Sequence, residues 1–298
     1  MSRIGFILLT HAKPGQILRL VNRLNSMFDG PPIVCHHDFG KCPLPDGFLP
    51  PNVEFVRPHL ETGWAEFSVV QATAIALGQM YRRPDSSDWC VILSGSCYPT
   101  KPAAQILENL EAGGYDAHIE GQEVKPERQD DDWHRMFTER VHVHFLDIPF
   151  IDKRLRPKTR RVNLPHIVGR HLLPFRPGRL RCFGGSQWFS IGRRAAEYVI
   201  AFQATPDAAA LARHYKRILF SEESYFQTIL YNAPGFTLDA RNWLYVNWSE
   251  KKANPKLLLM EDLTAIQASP AHFARKFDEE KSANLLDALD QIIDEGEF

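Results

Sequence analysis

The chain has 298 residues, 44% of them hydrophobic, and sets 35 Lys or Arg against 36 Asp or Glu for a formal net charge of -1. That apolar share supplies a real core and excludes wholesale disorder, while the neutral balance argues against a dedicated nucleic-acid binder, which is normally basic. Five cysteines, at 35, 42, 90, 97 and 182, form no CxxC pair and no zinc-type spacing, which fits a reducing, cytoplasmic setting.

Ile4–Leu9 is an apolar run too short to span a membrane and has no small-residue cleavage site, so a buried first strand is expected, closed by Thr10. Apolar residues at 17, 18, 20, 21, 24 and 28 have the spacing of an amphipathic helix over 16–28. Pro31-Pro32 breaks it, and a second strand runs from Ile33 toward His36-His37-Asp38. Val53–Val56 is a third strand, Glu66–Met80 a helix, and Trp89–Leu93 a fourth strand that ends in Ser94-Gly95-Ser96. Such alternation implies one α/β domain over 1–298, a mostly parallel central sheet with helices on both faces. Ligands gather at the carboxyl ends of strands in such sheets, which is where Thr10, Asp38 and Ser94 fall.

The middle differs. Lys153 to Arg181 contains ten Lys or Arg, two His and no acidic residue, and prolines at 157, 165, 174 and 177 rule out a long helix. It reads as an extended basic insertion. That is either a solvated surface segment or a patch for an anionic acceptor, an anionic membrane face or a polyanion. Just before it, "VHVHFLD" reads as a strand with His142 and His144 on one face, a zinc-like pair lacking a third ligand. Asp130–Asp132 in "QDDDW" reads as a solvated loop.

Strand character returns over Gly184–Ile191, followed by helices over Arg194–Phe202 and Asp207–Arg217, with Pro206 suited to a first turn. Glu222–Tyr231 is expected as a helix capped by Ser221, and strands are expected near Leu244–Val246 and Leu257–Leu259. Leu285–Ile293 has the pattern of a surface helix with an acidic outer face.

Four segments carry chemistry. Ser94 to Pro102, "SGSCYPTKP", has small residues that let the backbone approach a ligand, or is simply a strand-to-helix turn. Gly184 to Arg193, "GGSQWFSIGR", places Trp188 as an aromatic platform or as core. Phe220 to Leu230, "FSEESYFQTIL", puts Glu222 and Glu223 at a helix start, as ordinary dipole partners or with one carboxylate serving as a general base. His272 to Asp278, "HFARKFD", holds Arg275 and Lys276 between Phe273 and Phe277, an arrangement suited to a diphosphate leaving group.

Together these segments, with "ILLTHAKPGQILRLVNRL", "VCHHD", Trp64 and "LYVNW", resemble the branching β-1,6-N-acetylglucosaminyltransferases (core-2/I-branching enzymes) and the related peptide O-xylosyltransferases, in order along nearly the whole chain. The resemblance implies a GT-A-like fold and an inverting transfer from a UDP-sugar, N-acetylglucosamine or xylose, to the hydroxyl of a glycan or other acceptor. It also implies that no divalent metal is needed, basic side chains taking its place at the diphosphate. Carried over by position, Glu223 matches the catalytic base, Lys276 a diphosphate ligand and Asp38 the acid near the uridine. Lys256 and Lys252 are the candidates for the family's other diphosphate cation, Arg275 adds positive charge beside Lys276, and Thr10 and Ser94 line the donor side. Trp248 matches an acceptor-site tryptophan, Trp188 is a candidate platform, and Glu120 with Arg135 fall where acceptor contacts occur. Cys97 departs from the pattern, standing where an Asp is usual. Two other readings stay open: a catalytically silent glycan- or polyanion-binding module, and a metal-dependent transferase using Asp38 or Asp130–Asp132.

Overall fold

A computed structural model describes residues 2–125, 127–128, 131–142, 144–151, 157–164, 179–252 and 254–296. Most of the expected basic insertion, with Asp130, therefore lies outside the described residues.

Strand β1 (Ile4–Thr10) is apolar along its length because it lies inside the sheet, pairing in parallel with β2 (Ile33–His37) on one side and β4 (Trp89–Ser94) on the other. The short β3 (Val53–Phe55) extends the sheet beyond β2. On the far side β11 (Ser190–Gly192) runs antiparallel between β4 and β6 (Ala117–His118), and β12 (Leu238–Asp239) closes that edge. The seven-stranded order is β12-β6-β11-β4-β1-β2-β3, parallel except for β11.

Successive side chains of a strand point to opposite faces, so β1 feeds two cores. Phe6 and Leu8 pack with α1 (Pro14–Phe28), α3 (Ala103–Glu111), α8 (Leu263–Ala268) and α9 (Ala283–Glu295). Ile7 packs on the other face with α2 (Phe67–Met80), α5 (Arg193–Phe202), α6 (Pro206–Tyr215) and α7 (Tyr225–Asn232). Helices on both faces of a mostly parallel sheet are what the alternation implied.

Several local expectations are corrected. Asp132–His142 is a helix, α4, so Val141 and His142 end a helix instead of opening a strand, and Asp132 begins that helix instead of lying in a loop. Asp131 starts it by accepting from the His134 amide at 2.8 Å and its ring Nδ1 at 2.7 Å. His142 then bonds back to the Thr138 carbonyl, and His144 lies beyond the helix in a bridge to Ile218, so the two histidines share no strand face. Of the basic segment, β9 (Pro157–Asn163) pairs antiparallel with β8 (Phe145–Ile151) in a two-stranded sheet. Gly184–Ile191 is not one strand: β10 (Phe183–Gly184) pairs with β7 (Gln122–Glu123) in a separate small sheet, and a loop carries Ser186 to Trp188 over to β11. Leu257–Leu259 forms no strand, though Leu259 itself is extended.

The acidic face of α9 is also not simply solvated. Arg19 reaches Asp287 and Asp290 at 2.7 Å each, Arg23 reaches Asp294 at 2.8 Å, and the Tyr98 hydroxyl donates to Asp290 at 2.8 Å. These bonds pin α9 to α1.

A second, three-stranded sheet places the cations of the C-terminal segment. In it β14 (Phe273–Arg275) pairs in parallel with β13 (Leu244–Val246) and antiparallel with β5 (Tyr98–Pro99). The "FARKFD" segment is thereby laid along the turn that leaves β4.

Gly185 brings the other wall in. A Cβ there would stand 2.0 Å from the Glu120 carbonyl oxygen, backbone that has no room to yield. Gly185→Ala is expected to destabilise the fold by about 1–3 kcal/mol through overpacking. Urea denaturation would register this as a lower midpoint, and an unchanged midpoint would mean the two chain segments are not in contact.

Candidate functional site

Glu223 does not start a helix. Ser221–Glu223 is a separate 3-10 turn, entered through Phe220 in the left-handed region (φ 60) and broken from α7 at Ser224. Ser221 gives no side-chain cap, and its hydroxyl is buried without a partner. The Phe220 amide donates to the Ala65 carbonyl at 2.8 Å, and the Gly185 amide donates to the Glu223 carbonyl at 2.8 Å. The turn is thus clamped between the start of α2 and the Gly184-Gly185 segment, and its direction is set from outside itself.

The clamp leaves the Glu223 side chain 26% exposed, at the lip of the protein rather than in bulk water. Its Oε2 accepts from Nη1 of Arg140, on the last turn of α4. Burial raises its affinity for a proton most. Arg140 opposes that, Glu120 adds to it, and Arg275 also opposes it, leaving the carboxyl above its usual range. Glu223 therefore lies within electrostatic reach of both Glu120 and Arg275.

Glu222 takes the other direction. It is buried, one oxygen lacks any partner, and burial reinforced by the neighbouring Glu223 charge pushes its pKa up to about 8.

The positive wall comes from β14. Arg275 lies over the Trp188 ring, its carbon 4.8 Å from the ring centre, and is within reach of Cys97 and Glu223. Burial weakens its hold on its proton, as it does for Lys276, whose neighbours Arg275 and Lys13 act the same way. Phe273 and Phe277 are buried on either side, as the sequence led one to expect. The Phe277 amide donates to the Ser96 carbonyl at 3.0 Å, tying the cations to the turn after β4. In that turn the Ser94 hydroxyl lies 2.9 Å from the Ser96 hydroxyl and 3.2 Å from the buried Cys97 sulfur.

The strand ends complete the edge. Thr10 is buried, with its hydroxyl 2.7 Å from His37 Nδ1, and its carbonyl accepts from the Asp38 amide at 2.9 Å. Burial works against charge on Asp38, but the Thr62 amide, the Thr62 hydroxyl and Lys41 outweigh it and hold the pKa at about 2. The other Asp38 oxygen, Oδ1, is buried with no partner. His11, in the quoted "ILLTHAKPG" segment but given no role there, lies within reach of both Asp38 and Lys276 and so links the two ends of this edge.

The remaining candidates divide. Glu120 sits on the rim near Glu223, accepts from Asn242 at 3.2 Å and is pushed up by burial. Trp188 is only 6% exposed and serves as a floor under Arg275. Trp248 is 55% exposed. Arg135 points to solvent and pairs with Asp132 on its own helix, whereas Arg140 on the same helix reaches Glu223. Lys256 is held by Glu261 at 2.7 Å and Asp262 at 3.0 Å. Among the described residues no three His, Cys, Asp or Glu are grouped so as to hold a metal ion, and no helix is long and apolar enough to cross a membrane.

A mostly parallel sheet in this strand order, with helices on both faces, is a GT-A-like α/β domain. The chain belongs to the Core-2/I-branching enzyme family, whose model matches residues 49–268. It is 31% identical to xylosyltransferase 2 of Rattus norvegicus over 124 residues, which are 36% of this chain and 14% of that protein. It is 32% identical to beta-glucuronosyltransferase GlcAT14A of Arabidopsis thaliana over 123 residues, 40% of this chain and 26% of that one. Each match thus spans a small part of a much longer relative.

Glu222 yields a stability prediction. Its folded pKa of about 8 stands above the ordinary carboxyl value of 4.5, so between those pH values the unfolded chain has lost a proton that the folded chain keeps. Stability should therefore fall with rising pH across that window, at a slope of up to about 1.4 kcal/mol per pH unit from this group. Glu222→Gln should match the parent in urea midpoint at pH 4 and exceed it progressively up to pH 8. A gap that stays flat with pH would show that Glu222 is ionised in the fold.

Proposed function

We propose that the chain is an inverting, metal-independent glycosyltransferase that moves a sugar from a UDP-sugar to an acceptor hydroxyl. The observation that carries this reading is Glu223: a half-buried carboxylate with a raised pKa, on a turn clamped from both sides, in reach of Arg275. In one displacement Glu223 removes the acceptor's hydroxyl proton as that oxygen bonds to the anomeric carbon. The bond from that carbon to the diphosphate breaks with its electron pair leaving on UDP, and the anomeric configuration inverts.

Burial raises the proton affinity of the base above that of an ordinary carboxylate, while Arg140 and Arg275 oppose that rise, a balance suited to taking a hydroxyl proton. Arg275 and Lys276 supply the positive charge that meets the departing diphosphate, a role that metal ions often fill elsewhere. Their partial burial strengthens the interaction, since a less polar surrounding screens it less. Trp188 fixes the Arg275 plane from below. Asp38, ionised and with one buried oxygen unpaired, is suited to accept the imide N–H of the uracil. Lys256 is left out of the diphosphate site because two carboxylates already hold it. Glu120 and Trp248 are assigned to the acceptor side. The donor sugar is N-acetylglucosamine or xylose, and the xylosyl- and glucuronosyltransferase relatives put xylose and glucuronic acid first in any test panel.

A panel of UDP-sugars, read out as UDP release with and without EDTA, tests the reading. Release should persist in chelator, and Glu223→Gln should lower it by roughly 10²–10⁴-fold with UDP affinity retained. Lys276→Met should instead weaken UDP binding. Turnover lost in EDTA and restored by manganese would overturn metal independence, and glycan binding without turnover on any donor would point to a silent module.

A further inference from the structure

Arg140 belongs to no motif, yet it is the residue in contact with the Glu223 carboxylate. Three elements hold it in place. It grows from the last turn of α4, its guanidinium carbon lies 4.3 Å from the centre of the Phe220 ring, and it also lies 5.3 Å from that of Phe137. Phe220 is itself buttressed by Trp64 in an edge contact at 5.1 Å and by its amide bond to Ala65. A flexible side chain stacked on an aromatic and bonded at its tip has given up its freedom, and Arg suits this because its planar fork stacks and donates at once.

The charges around Glu223 come from every side. Arg140 on α4 and Arg275 on β14 are positive and Glu120 after β6 is acidic, while Glu222 on the same turn, its pKa pushed up to about 8, keeps its proton at neutral pH. If the chain is the glycosyltransferase proposed, on which this step rests, these four do not keep the same balance through a catalytic cycle. A bound diphosphate brings negative charge to Arg275 and spends its influence on the donor. The carboxylate then faces Glu120 and a newly arrived anion, with Arg140 the cation remaining on its own side.

We infer that Arg140 is a positioning residue for the base: held on Phe220 and bonded to the Glu223 carboxylate, it aims that carboxylate and faces it with positive charge while the donor site is filled. Arg275 serves the leaving group and Arg140 serves the base, so the two cations are not redundant.

Two readouts test this, one of them independent of turnover. In protein labelled with 13C at glutamate carboxyl carbons, the Glu223 resonance is identified by its loss in Glu223→Gln and titrated with pH. Arg140→Leu should move its titration upward by about one pH unit or more, the effect of removing an adjacent opposite charge, and Arg140→Lys should restore most of the difference. Adding UDP should raise the midpoint further in Arg140→Leu than in the parent. In turnover, the acid limb of kcat should move up by the same amount in Arg140→Leu, about a tenfold loss well below the limb, with UDP affinity within twofold of the parent.

An unmoved Glu223 titration in both Arg140→Leu and Arg140→Lys would overturn the inference whether or not the parent turns over. So would a faster Arg140→Leu, which would make the pair a latch on the base. A loss confined to acceptor KM would make Arg140 an acceptor contact instead. Absence of turnover in the parent on every donor would sink the proposed function and leave the carboxyl titration to decide on Arg140.

Discussion

The seam between β14 and β5 is the constraint on which the site depends. Phe273 and Ala274 are laddered to Pro99 and Tyr98, and the Phe277 amide closes onto Ser96. Backbone hydrogen bonds of this kind are obligatory and directional, so once the strands pair, the side chains between them have little choice of place. Arg275 and Lys276 lie at the end of that ladder. They stand beside the turn that leaves β4 although 178 positions separate Cys97 from Arg275 in the chain, the difference of their residue numbers. Without the seam the cations would sit on a surface loop, where an ion is screened and its geometry free.

The second constraint is the crowding of the Glu223 turn. Gly185 presses on Glu120, Phe220 is tied to Ala65, and Ser224 separates the turn from α7 while its hydroxyl donates to the Phe183 carbonyl at 2.6 Å. Each contact is short and local to its own pair, yet together they give a three-residue turn a fixed direction that it lacks by itself. A carboxylate held this way is partly stripped of water, which raises its pKa, and is then re-stabilised by cations from two other elements. The neighbouring Glu222 shows the same stripping with little of the compensation, and it is the one whose oxygen is left without a partner.

The family of the chain and the ends of its parallel strands are open to reading from sequence because each rests on a local pattern. A run of apolar residues between turn formers is a buried strand wherever it lands in the sheet, so Thr10, Asp38 and Ser94 can be placed at strand ends before any pairing is known. "FARKFD" announces itself by two cations between two aromatics. The failures share a cause as well. "DWHRMFTERVH" is a helix whose polar and apolar residues alternate closely enough to pass for a strand at its end, and its start depends on Asp131 catching the His134 amide. Reading a strand there hides Arg140. Arg135 suits an acceptor contact by its position in sequence, but α4 turns it to Asp132 and solvent.

What the sequence determined alone was the inventory: an α/β alternation, a carboxylate after Ser221 read as a helix start, a cationic pair flanked by phenylalanines, and the family these belong to. What tertiary structure decided was which charges meet. Lys256 is a cation by sequence and a structural ion-pair partner in the fold, while Arg140 is an ordinary helix residue by sequence and the partner of Glu223 in the fold. The physical reason is that a charge acts over a few ångströms of space, and spacing along a chain says little about distance between residues on α4, on the Glu223 turn and on β14 until the sheet, its crossovers and the β14–β5 ladder have been formed.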